Sequence, residues 1–165
     1  MHAYFGFILL AMILSNIGHI LLVKKNAFPN LAVPIASSLF GTNKTWRGFI
    51  VLICLNAFAS WTLNLGFGYF GDIEALWIGG LLGFAYMISE LPNSWLKRRQ
   101  GIQSGQTPGW FVILDKTDSS FGVSLTSAIL FDLSLWQTLV LFLLGSATHV
   151  FFSWVLVKVG IKKRF

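Results

Sequence analysis

Asp115 and Asp118 stand three residues apart in LDKTDSSFG (114–122), a spacing that on a helix sets both carboxylates on one face, less than a turn apart. Two hard oxygen donors so placed can reach one divalent cation or two neighbouring ones, and Mg²⁺ commonly combines one or two carboxylates with substrate phosphates. Paired aspartates near a helix start are equally an ordinary N-terminal charge preference. A second stretch, SELPNSWLKRR (89–99), carries Glu90 near the end of an apolar run, followed by Ser94, Lys97 and Arg98 at spacings of four, three and one. On a helix continuing past Pro92, with a kink there, the hydroxyl and the two cations share one side. A belt of snorkelling cations accounts for Lys97 to Arg99, but for neither Glu90 nor Ser94. In a third stretch, LFGTNKTWRGF (39–49), Gly41 permits a tight turn, Thr42, Asn43 and Thr45 can donate hydrogen bonds, and Lys44 and Arg47 lie three apart. On a helical turn their heads share a face that can hold phosphate oxygens; the other reading is a cationic membrane flank with Trp46 as interfacial anchor. The chemistry these groups suit is the handling of phosphate beside a divalent cation.

The elements that must position them are membrane helices. The chain is 55% hydrophobic and 11% charged over 165 residues, more apolar than one soluble core requires. Its apolar runs reach the roughly 20 residues needed to cross about 30 Å of hydrocarbon. Five spans are expected, over Tyr4–Val23, Gly48–Phe70, Ala75–Leu91, Trp110–Phe131 and Leu135–Val159, the fourth being the least apolar because Asp115, Lys116 and Asp118 fall in its first turns. No Lys or Arg precedes the first run and no small-residue cleavage pattern follows it, so it is expected to be retained rather than cleaved as a signal peptide. Alternating the spans from an outside N-terminus puts all twelve Lys and Arg on the cytoplasmic side with the C-terminus, and leaves Asp72, Glu74 and Asp132 on the other. The expected fold is thus an all-α integral membrane protein, one domain over 1–165. The net charge of +6 reflects this topology, and nucleic acid is not an expected partner. Cys54 lies within a span and has no second cysteine to pair with. Asn16, His19 and His149 fall toward the cytoplasmic halves of their helices, which suggests a polar cavity there; Asn56 is expected to serve helix packing.

Taken together, FGTNKTWRGF (40–49), SELPNSWLKRRQGI (89–102) and LDKTDSSFG (114–122) resemble, in order, the blocks of the CDP-archaeol synthase family, relatives of CDP-diacylglycerol synthases. HVFFSWVLVKVGIK (149–162) is similar to that family's last span, more weakly. Glu90 stands where the family usually has Asp, and Ala36, after Pro34 and Ile35, stands where it would have an Asp. The resemblance implies a cytidylyltransferase of the cell (inner) membrane with its active site facing the cytoplasm: CTP plus an archaeol-type or phosphatidate-type lipid phosphate gives CDP-lipid and pyrophosphate, for phospholipid biosynthesis. It implies Mg²⁺ at Asp115 and Asp118 with Glu90 nearby, and Lys97 and Arg98 neutralising phosphates with Ser94 donating a hydrogen bond. Lys44, Thr45 and Arg47 would then hold the nucleotide or the second phosphate. A homodimer is compatible with this reading.

Two other classes fit a polar-edged membrane bundle. A small ion-coupled transporter or channel subunit would use Glu90, Asp115 and His149 as an ion path, which calls for ionisable groups spread through the membrane depth. A non-catalytic membrane scaffold would tolerate Asn at 115 and 118.

Overall fold

Each long helix begins and ends where local chemistry can satisfy its orphan backbone groups. A computed structural model of the protein describes residues 3–161. Helix α1 runs Ala3–Lys24, a short α2 Ser37–Phe40, α3 Trp46–Phe67, α4 Asp72–Arg99, α5 Phe111–Phe131 and α6 Leu135–Lys158, with a 3₁₀ turn at Pro29–Leu31. Thr45 caps α3, its hydroxyl accepting from the Gly48 N–H, and Ser134 and Gln137 form a reciprocal capping box on α6. At the end of α1, Asn26 takes a left-handed conformation while the Ala27 and Asn26 N–H groups return to the Leu22 and Val23 carbonyls. Gly101 closes α4 in the same way. The described residues are all-α, without strands; Pro34 and Thr45 form an isolated bridge.

Four of these helices, α1, α3, α4 and α6, are long and apolar enough to cross a membrane. Helix α5 is also long, 21 residues, but its first turns carry Asp115, Lys116 and Asp118. Helix α4 reaches Arg99, eight residues beyond the expected end of the third span, and runs through Pro92. The outward surface is apolar, with Phe58, Leu65, Ile73 and Ile129 among its most exposed side chains. Exposed Trp77 and Trp136 ring one end, and Trp46, Trp95, Trp110 and Trp154 lie toward the other, the belt pattern of chains that sit in a bilayer.

The long helices pack in the ring α1–α3–α4–α5–α6, closed by a sparser contact of α6 with α1. Lysine and arginine side chains gather at one end of this ring: Lys24 donates to the Gly160 carbonyl, joining the ends of α1 and α6. Lys162, Lys163 and Arg164 lie outside the described residues. Asp72, Glu74 and Asp132 mark the opposite end, where Tyr4 stacks on Phe70 and Phe131 and the apolar core of Phe7, Ile8, Leu82 and Leu141 fills the bundle. Asn56 serves packing, as its place in a span suggests: it accepts from Ser15 of α1 and donates to the Gly79 carbonyl of α4.

Helices α4 and α5 meet backbone to side chain at Gly122, where an added Cβ would lie 2.6 Å from both the Ala85 carbonyl and the Ser89 side chain. Backbone cannot yield there, so Gly122→Ala is expected to cost about 1–3 kcal/mol. Thermal unfolding in detergent should show it as a lowered midpoint, whereas Gly66→Ala, which meets nothing within 4 Å, should not lower it.

Candidate functional site

Asp115 and Asp118 both turn toward α4, as their spacing predicts, and a residue of α4 that the sequence reading left without a role binds them together. Asn93 Nδ2 donates to Asp115 Oδ1 at 2.5 Å and to Asp118 Oδ2 at 2.9 Å. One turn further on, buried Lys97 donates to both oxygens of Asp115, at 2.6 and 2.9 Å. Thr107, from the loop between α4 and α5, adds a third donor to Asp115 at 2.8 Å. Asp118 is held differently: beyond Asn93, its Oδ1 accepts the backbone N–H of Ser119 at 2.7 Å. Asn93 was discoverable, because it lies four residues before Lys97 and therefore on the same helical face. Thr107 sits in an irregular loop where no periodicity points to it.

The other expected residues converge on the same end but divide their attention. Lys44 pairs with Glu90 across the gap between the loop before α3 and helix α4. Burial disfavours the Lys44 ammonium, yet the adjacent Glu90 carboxylate outweighs this and holds its pKa above the ordinary lysine value. Lys44 and Arg47 do not share a helical face: Thr45 is the cap of α3 and the bridge partner of Pro34, so Lys44 precedes the helix, and Arg47 turns to Asn26 and the Ala27 carbonyl. Arg98 is likewise turned from Lys97, being one residue further round α4. Its guanidinium donates to Ser104 Oγ at 2.9 Å and the Gln103 carbonyl at 3.1 Å, and Ser104 also receives the Thr42 N–H, tying the two basic-end loops together. Ser94 is buried on the inner face of α4.

All of Lys44, Thr45, Arg47, Glu90, Ser94, Lys97, Arg98, Asp115 and Asp118 line one cavity of about 790 Å³, to which every long helix contributes. Its upper part is charged. Below lies a polar layer in which Asn16 donates to the Tyr86 hydroxyl at 3.2 Å and Ser119 meets His149 at 3.4 Å, the polar depth that Asn16, His19 and His149 suggested. Further down, Leu9, Met12, Val123 and Leu141 form an apolar floor.

Two carboxylates held close by Asn93, whose own Oδ1 is buried without a partner, make an oxygen-rich set of the kind Mg²⁺ takes. Glu90 is not a third member of it: Lys44 engages Glu90, and among the described residues no three His, Cys, Asp or Glu side chains stand together as a metal-holding group. The chain matches no protein-family model, no curated protein and no solved structure.

Proposed function

We propose that the protein is a membrane cytidylyltransferase that transfers CMP from CTP to a lipid phosphate, giving CDP-lipid and pyrophosphate. The observation that carries the reading is the cavity whose lining passes from ion pairs at the basic end of the bundle to a mainly apolar floor. A soluble nucleotide and an amphiphile with a phosphate head need such a graded chamber. On this reading α5 also crosses the membrane, as the fourth of five spans, the N-terminus is outside, and the C-terminus and the cavity mouth face the cytoplasmic side of the cell membrane. That orientation rests on the gathering of cations at one end. A transporter path gains less support, since the lower cavity, lined by Leu9, Met12, Val123 and Leu141 with Ser120 and Ser124, carries no ionisable side chain.

A phosphomonoester oxygen of the lipid attacks the α-phosphorus of CTP; a new P–O bond forms as the bond to the β-phosphate oxygen breaks, and pyrophosphate leaves with the electron pair. The attacking oxygen is already ionised at neutral pH, so positioning and charge neutralisation carry the rate. Asp115 and Asp118 would hold Mg²⁺, which when bound supplies positive charge for the triphosphate oxygens. Lys97, within reach of the cavity, neutralises phosphate charge at the mouth. Lys44, before α3, and Ser94, on α4, line the cavity and orient the nucleotide. Arg98, through Ser104 and Gln103, holds the 100–110 loop in the position from which Thr107 reaches Asp115.

Purified protein given labelled CTP, Mg²⁺ and a panel of ester- and ether-linked lipid phosphates is expected to form labelled CDP-lipid and pyrophosphate in equal amounts. No product with any member of the panel overturns the reading.

A further inference from the structure

Among the described residues, Asn93 alone touches both aspartates. A carboxylate offers about four lone-pair sites to donors. On Asp115 all of them are taken: Oδ1 accepts from Asn93 and Lys97, and Oδ2 from Lys97 and Thr107. Asp118 is half used, its Oδ2 accepting from Asn93 and its Oδ1 from the Ser119 N–H. A divalent cation held by the pair must therefore displace a donor from Asp115. Lys97 and Thr107 reach Asp115 from outside the pair, whereas the neutral Asn93 NH₂ group lies between the two side chains, 2.5 Å from Asp115 Oδ1 and 2.9 Å from Asp118 Oδ2. Asn93 is the donor that has to give way.

The other end of the same amide is suited to replace it. Asn93 is 7% exposed, and its Oδ1 is buried with no partner among the described residues. A carboxamide has nearly the same shape either way round, so a half-turn about its last side-chain bond withdraws the NH₂ group and presents an oxygen to the aspartates. Two carboxylates alone repel that oxygen; a divalent charge beside them attracts it. The turn moves the unpartnered atom of the amide from oxygen to nitrogen, and the oxygen ligand gained by a hard cation favours it.

We propose that Asn93 is the third protein ligand of the Mg²⁺ site, exchanging its hydrogen bonds to the two aspartates for coordination through Oδ1. This role for Asn93 deepens the nucleotidyl-transfer reading and rests on it. A neutral third donor leaves two protein carboxylates against a doubly charged ion, so triphosphate oxygens can complete the shell without a third carboxylate to repel them. Glu90, engaged by Lys44, is not needed for that place.

The test measures Mn²⁺ binding by electron paramagnetic resonance in the purified full-length protein, without nucleotide or lipid, for the parent, Asn93→Ala and Asn93→Asp. Asn93→Ala is expected to weaken Mn²⁺ binding about tenfold or more, the scale of a lost group at a metal site. Asn93→Asp keeps an oxygen but loses the NH₂ group, and should bind Mn²⁺ at least as tightly as the parent. Its thermal midpoint in EDTA should fall, because three carboxylates then crowd together beside Lys97, and Mn²⁺ should restore it. Equal weakening in the two variants means that Asn93 serves only as an N–H clamp, and unchanged or tighter binding in Asn93→Ala means that it only fills space; either result overturns the ligand. So does a parent protein that binds no Mn²⁺ at millimolar concentration. Should Asn93→Ala fail to fold, Asn93→Asp decides, and binding weaker than the parent's overturns the ligand. If the parent makes no CDP-lipid from any lipid phosphate but binds Mn²⁺ through Asn93, the transferase reading falls and the ligand stands. If the parent makes CDP-lipid and Asn93→Ala binds Mn²⁺ unchanged, the ligand falls and the reading stands.

Discussion

Asp118→Asn is expected to cut CDP-lipid formation by about 10²–10³-fold, the scale of losing one group that stabilises charge in the transition state. The half-saturating Mg²⁺ concentration should rise with it. The fold should barely notice: Asp118 takes no part in the described ion pairs, and an Asn can still offer an oxygen to Asn93 or to the Ser119 N–H. Its thermal midpoint in detergent should stay within about 2 °C of the parent's, under about 1 kcal/mol for a chain of this size. Asp115→Asn is the contrast. Asp115 receives Lys97, Thr107 and Asn93, so neutralising it strands a buried ammonium and should lower stability by about 1–3 kcal/mol as well as activity. Full activity in Asp118→Asn would mean that the aspartate pair holds no ion needed for the reaction, and the site assignment would fail with it.

The difference between the two aspartates shows where sequence reading stops. Spacing alone put residues 115 and 118 on one helical face, because 3.6 residues per turn is a property of every α-helix. Apolar run length likewise foretold the long helices: α6 starts at Leu135 as expected, capped by Ser134, α3 starts two residues early behind the Thr45 cap, and α4 runs on past the apolar stretch to the turn at Gly101. The gathering of cations at one end, with Asp72, Glu74 and Asp132 left at the other, was also visible, since it needs only the alternation of the helices. What spacing could not supply is which neighbour each side chain meets. Lys44 and Arg47 look like one cluster three residues apart, but the cap at Thr45 places them on either side of a helix start, and they part company toward Glu90 and Asn26. Lys97 and Arg98 look like one doublet, yet one residue of helix sends the first to α5 and the second to the loop. The Lys116–Ser153 bond joins residues 37 apart in the chain and was beyond any local pattern.

Lys97 carries the other large expected effect. Lys97→Met keeps the apolar stem and removes the ammonium that donates to both oxygens of Asp115, so activity should fall by about 10³-fold. Stability should fall too, by about 2–5 kcal/mol for a truncated buried pair and toward the lower figure here, because the Asp115 side chain keeps 27% of its exposure. Loss of both quantities would not by itself separate a phosphate-binding role from a merely structural one. The sign of a second measurement does. In EDTA, with no divalent ion to bind the aspartates, CTP must rely on the protein's own cations. Lys97→Met is then expected to weaken CTP binding about tenfold or more, the cost of one charge-assisted hydrogen bond. Asp115→Asn should strengthen it, since the ammonium is released from a competing carboxylate and one negative charge leaves the cavity. Two substitutions that break the same ion pair thus move one affinity in opposite directions if Lys97 meets the triphosphate. If both weaken CTP binding alike, Lys97 serves only to hold Asp115, and the positive charge that faces the nucleotide must come from elsewhere in the cavity.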